Sequence, residues 1–213
     1  MTPKDMTKFK DTAQTRGIAF FSPVAEQKRI DSNYYVEGYA AKYDPYVLYT
    51  DFDGTEIKER FEKGCFDGCD MSDIIFQYDH EGKVFARNSN GTLIVEADEN
   101  GLFTAADLGR TEAARGMYDE IAAGMVTKMS WRFRVGDYYF DKATNTIVHT
   151  RVAKIYDVSA VSIPANDQTE INARAWVDGV IDLAARRDEV LDERRRKIRL
   201  KIKLMEGETT DAN

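Results

Sequence analysis

The chain has only two cysteines and two histidines in 213 residues, and the cysteine spacing gives neither a metal site nor a disulfide. Cys65 and Cys69 stand four apart with no second cysteine pair or histidine cluster near them, a poor ligand set for zinc. On a helix they would share a face without the geometry of a disulfide, so both read as reduced, semi-buried side chains of a cytosolic protein. Long apolar runs are also missing. Nothing approaches the roughly 20 residues that span a bilayer, so no membrane partner is expected. Met1 to Phe21 is polar apart from Ile18-Ala19-Phe20-Phe21 and carries no signal-peptide pattern. Positive charge is not in excess either: 30 Lys+Arg against 37 Asp+Glu leave a net −7. Non-specific nucleic-acid binding needs a basic footprint, so a nucleic-acid partner is not expected. There is no internal repeat or low-complexity tract, and no motif calls for a metal or another cofactor.

What the chain does have is enough apolar material for a sizeable core: 43% hydrophobic and 11% aromatic residues exclude a disordered chain. Three regions follow along it. Residues 1–16 are polar and read as a loose arm, 17–174 carry strand signals, and 175–206 turn helical and highly charged before a short tail, 207–213. Tyr34 to Tyr43 reads as a strand with a glycine-marked bend. Asp53-Gly54, Asn90-Gly91 and Asn100-Gly101 are turn dipeptides, the last joining Thr92–Ala97 and Leu102–Leu108 in a hairpin. Met129 to Val135 alternates, with Met129, Trp131, Phe133 and Val135 on one face and Ser130, Arg132 and Arg134 on the other. Tyr138-Tyr139-Phe140 and Thr146 to Tyr156 flank a turn at Asp141–Asn145, and Ile155 to Ile163 is an apolar strand ended by Pro164. Two helices are predicted, Ile57–Phe66 and Thr111–Ala123, the second capped by Thr111 and followed by Gly124. Many short strands and few helices predict a mainly β, α+β fold, a partly closed β-barrel flanked by helices.

With His80 and His149 as the only imidazoles, the search for a general base is short. His80 follows Ile74-Ile75-Phe76 and precedes Glu81-Gly82, at a strand–turn junction that suits either a catalytic residue or a surface histidine. Ser130, on the polar face of its strand, is a solvent-facing residue or, given a base within reach, a nucleophile. Asp157 interrupts an apolar run, and a buried carboxylate needs a donor. An imidazole N–H would serve, and so would Arg132, Arg134 or Arg151. Ser, His and Asp from separate strands fit acyl-transfer logic, but their spacing is not diagnostic.

The order of segments resembles the tailed-phage prohead protease family, thought to be related to the herpesvirus assemblins. The resemblance rests on Gly38-Tyr39-Ala40, on Glu56-Ile57 with Gly64-Cys65-Phe66, and on the hydrophobic strand Ile74 to His80 with Arg87 after it. It continues through Gly101-Leu102, Gly124, Met129-Ser130-Trp131 with Phe133, Asp157-Val158-Ser159 and Ile163-Pro164-Ala165. It spans about residues 36–172 in the family's order. The chain departs from the family pattern with Asp157 where glutamate is common, Arg132 where glycine is usual after the aromatic residue, and Ala86 before Arg87.

The resemblance implies a serine endopeptidase occupying 17–174, with Ser130 as nucleophile, His80 as base and Asp157 as third member; His149 is the rival for that place. It implies Arg132 and Arg151 as candidates near the oxyanion. It also implies capsid and scaffold proteins and the protease itself as substrates, cleaved inside an assembling prohead in the host cytoplasm.

In the C-terminal segment, Val177, Ile181, Ala184, Asp188, Leu191, Arg195, Ile198, Ile202 and Met205 follow a 4-3 spacing, a heptad seam with two charged interruptions. Nine basic and four acidic residues between Arg186 and Lys203 give a local +5. The segment reads either as a solvated helix on its own domain or as an element for self-association or scaffold docking. Two other functions stay open: a non-enzymatic capsid assembly or scaffold factor of the same fold, and a cysteine protease using Cys65 or Cys69.

Overall fold

The computed structural model describes residues 13–22, 28–51, 53–162 and 167–208, with side chains at 14–16, 28–51, 53–162 and 179–199. Ten strands and two helices follow one another as β1 (Ala13–Ser22), β2 (Tyr35–Lys42), β3 (Tyr46–Thr50), β4 (Glu56–Phe61), β5 (Ile75–Tyr78), β6 (Glu81–Arg87), β7 (Leu93–Ala97), β8 (Gly101–Asp107), α1 (Glu112–Ala122), β9 (Lys128–Asp141), β10 (Thr146–Val161) and α2 (Asp167–Glu208). Most residues of the expected N-terminal arm, the end of the predicted Ile155–Ile163 strand with Pro164, and most of the tail lie outside the described residues.

β9 and β10 form the spine, and their alternation explains why. Met129, Trp131, Phe133 and Val135 are all fully buried on one face of β9, where Phe61, Phe133 and Trp131 pack ring against ring. The two segments predicted on either side of Gly136 are a single strand. A Cβ at Gly136 would lie 2.6 Å from the Arg151 carbonyl oxygen, so glycine lets β10 approach closely and the ladder continues through an irregular register. The β7–β8 hairpin forms at the predicted place. So does α1, whose N-cap Thr111 accepts from the Ala114 N–H. Its buried Ala114, Met117 and Ile121 form the face that packs toward β6.

The helix predicted over Ile57–Phe66 is instead strand β4 followed by turns. Its Ile57, Glu59 and Phe61 are buried in strand alternation, a pattern hidden in the sequence because a glutamate occupies a core position. Glu59 is fully buried.

The main sheet path is β3-β4-β10-β9-β1-β2-β8-β7, with β5 and β6 branching from β10. β4 and β5 share one edge of β10, pairing with its first and last residues respectively, both parallel. That division branches the sheet. Among the described residues no ladder joins β3 to β7, so the sheet is open and the expected closure into a barrel is not seen. α2 begins eight residues before the predicted 175. Val180 is buried and Ile181 packs on the core, while residues 185–199 are exposed all round.

Candidate active site

Strand register assembles the polar face opposite the Trp131 side of the sheet. β9 and β10 pair antiparallel with Ser130 opposite Ser159 and Arg132 opposite Asp157. On the far side of β10, the parallel partner β5 sets Gln77 beside Ser159 and Tyr78 beside Ala160. β5 then turns into β6 through Asp79 and His80 alone, since Tyr78 pairs with Glu81. That tight turn swings the imidazole back over β10 and β9.

There the three residues singled out from the sequence meet. His80 Nδ1 lies against Asp157 Oδ1 in a very short contact, and His80 Nε2 lies 2.7 Å from Ser130 Oγ. Since Asp157 pairs with Nδ1, the proton is assigned to Nδ1 and the lone pair to Nε2. Asp157 is 2% exposed, and Ser159 donates its hydroxyl to the same Oδ1 at 2.8 Å. The shorter aspartate reaches His80 because β5 and β10 are directly hydrogen-bonded neighbours. Ser130 is not solvent-facing as its polar strand face allowed: it is 2% exposed. Its hydroxyl also lies 2.9 Å from the Arg16 carbonyl oxygen on β1, so one proton faces two acceptors.

Both kinds of partner considered for Asp157 are present. Arg132 Nε stands 3.7 Å from Asp157 Oδ2, and its Nη2 is 3.5 Å from the His80 carbonyl oxygen. This guanidinium therefore faces the acid and the turn. Arg151 lies six residues along β10 from Asp157, on the order of 20 Å, and donates to Asp137 at 2.7 Å.

His149 sits eight residues from Asp157 along β10, about 25 Å away, inside a different buried cluster. Its Nε2 lies 2.8 Å from Glu59 Oε1, and its ring stacks on Phe61 at 4.7 Å. Arg16 grips the same carboxylate at 2.5 and 2.8 Å, and the Tyr46 hydroxyl donates to it. Burial alone would raise the Glu59 carboxyl, but Arg16 and His149 outweigh it and hold the group far below its ordinary range.

Both thiols are poor nucleophiles: burial pushes Cys65 up to about 12 and Cys69 up to about 11. Among the described residues no His, Cys, Asp and Glu cluster could hold a metal ion, and no helix is long and apolar enough to cross a membrane.

Asp79, Glu59 and the Arg16 carbonyl escaped the sequence reading, and Ser159 entered it only within the Asp157-Val158-Ser159 block, with no role. Ser159 was findable, because it stands two residues from Asp157 and so on the same strand face. Asp79 carries no such signal, because the two-residue length of its turn is set by the pairing of Tyr78 with Glu81.

No curated protein and no solved structure matches the chain. The sequence profile of the caudovirus prohead serine proteases matches residues 23–178, a span running from the end of β1 into α2 and containing Ser130, His80 and Asp157. That match covers well over half the chain, and the protein belongs to the caudovirus prohead serine protease family.

Proposed function

We propose that the chain is a serine endopeptidase in which Ser130 is the nucleophile, His80 its base and Asp157 the carboxylate that orients the imidazole. The observation that carries the reading is the continuous contact from Asp157 through both ring nitrogens of His80 to Ser130. His80 Nε2 takes the hydroxyl proton as Oγ bonds to the scissile carbonyl carbon, and Asp157 steadies the imidazolium that results. The imidazolium then protonates the leaving amine, and the C–N bond breaks. Water, deprotonated by the same nitrogen, hydrolyses the acyl-enzyme and restores Ser130. The Arg16 carbonyl competes for the hydroxyl proton, so attack requires the proton on the His80 side. Arg132, beside Asp157 and the His80 carbonyl, fits a role in holding the acid and base better than one at the oxyanion.

The substrates in this reading are segments of capsid and scaffold proteins and the chain itself, cut inside the assembling prohead in the host cytoplasm. In this reading the chain self-associates through the seam Val177, Ile181, Ala184, Leu191, Ile198 and Ile202, and what supports it is the exposed stretch of α2 over residues 185–199, since Ile181 packs on the core. Of these, Leu191 and Ile198 are 40% and 50% exposed. The test is co-expression with the cognate capsid and scaffold proteins, scored by gel mobility and intact mass. Wild type shortens its partners and Ser130→Ala leaves them whole. Processing by both versions would assign the nucleophile elsewhere. Assembly without processing by either would favour a non-enzymatic assembly factor.

A further inference from the structure

The turn that presents His80 is built in an unusual way. Both of its residues have positive φ, +47° at Asp79 and +62° at His80. Two left-handed residues in a two-residue hairpin loop are the signature of a type I′ turn, whose second position favours glycine. A histidine there is strained, and such strain persists only where the surroundings over-determine it. Asp79 supplies the constraint. Its N–H donates to the Ala160 carbonyl at 2.9 Å. Its carboxylate accepts the Ser162 N–H at 3.2 Å and the Ser162 hydroxyl at 3.3 Å. The anchor therefore lies at the end of β10, the strand that also carries Asp157. One strand fixes both the turn and the carboxylate that meets the ring.

We infer that Asp79 is a positioning residue for the reaction: its clamp on Ala160 and Ser162 sets the His80 imidazole where it meets Ser130 and Asp157 together. This rests on the proposed role of His80 as base, through which Asp79 acts. Aspartate serves two ends here, since it also tolerates the left-handed backbone. The two are separable. Asp79→Gly keeps the left-handed conformation and the backbone bond to Ala160 but loses the carboxylate arm of the clamp on Ser162, whereas Asp79→Asn keeps the conformation and an acceptor for the Ser162 N–H.

The experiment places Asp79→Gly, Asp79→Asn, Ser162→Ala and Ser130→Ala in the full chain, each co-expressed with the capsid and scaffold proteins. It reads the rate of capsid-protein shortening and the melting transition of each variant. Asp79→Gly is expected to slow shortening about 10- to 100-fold, as a base displaced by up to an ångström would. Asp79→Asn is expected to recover to within about threefold of wild type, and Ser162→Ala to lose about two- to fivefold for one hydrogen bond. A purely structural role would not give recovery in the conservative variant at unchanged melting. Asp79→Gly working at the wild-type rate, with Ser130→Ala inert, overturns the clamp and leaves the protease reading standing. Processing by Ser130→Ala overturns both. If Asp79→Gly does not fold, Ser162→Ala decides: a slowed rate upholds the clamp and an unchanged rate overturns it.

Discussion

At the scale of single residues, the proposed mechanism turns on where one proton can go. From residue pattern alone Ser130 and His80 were legible only as alternatives, because a strand serine and a loop histidine are common on any surface; the resemblance to the prohead proteases is what named them as a pair. Asp157 announced itself more clearly, as a carboxylate in an apolar strand that had to find a donor. What the sequence could not display is the register that sets Ser159 opposite Ser130 and turns His80 over both. In the proposed mechanism, replacing Asp157 with asparagine keeps its size but removes the charge that would steady the imidazolium. Processing by Asp157→Asn should fall roughly 10³- to 10⁴-fold, measured as the rate of capsid-protein shortening, with the fold intact. The thiols lead to the opposite expectation. With Cys65 and Cys69 pushed up by burial, iodoacetamide at neutral pH should leave processing unchanged, and a loss that tracks alkylation of either would revive a cysteine mechanism.

At the scale of elements, β4 is where the reading from sequence failed, and Glu59 is the reason. Charge at a core position looks like the solvent side of an amphipathic helix until its partners are known, and those partners come from β1, β3 and β10: Arg16, Tyr46 and His149. The cluster pins β1, whose Arg16 carbonyl touches the Ser130 hydroxyl. Glu59→Gln would remove the carboxylate charge that faces the buried Arg16 guanidinium and should cost about 3–5 kcal/mol in urea unfolding at pH 7. The pH dependence has a definite sign. Because the folded Glu59 carboxyl is held below its ordinary 4.5, its stabilisation is complete above that value and is lost only as pH falls through the lower folded value. The stability gap between wild type and Glu59→Gln should therefore persist at pH 5 and shrink only in stronger acid. A gap that vanished between pH 7 and 5 would contradict the assignment.

At the scale of the molecule, the mainly β class, the β7–β8 hairpin and α1 were readable because their local signals agree with their packing. The open, branched sheet was not, since it follows from long-range pairing of β10 with both β4 and β5 on one edge. α2 runs for 42 residues, and beyond residue 184 its described part is exposed all round. If its apolar seam joins copies, Leu191→Lys with Ile198→Lys should lower the mass seen by sedimentation equilibrium without changing the melting transition. The central claim, that His80 activates Ser130, is tested most directly by treating proheads that contain the full chain with a fluorophosphonate and mapping the adduct by peptide mass. The account predicts phosphonylation at Ser130 with loss of fluoride, absent in Ser130→Ala and strongly slowed in His80→Ala. A label on any other residue, or one undiminished in His80→Ala, would contradict it.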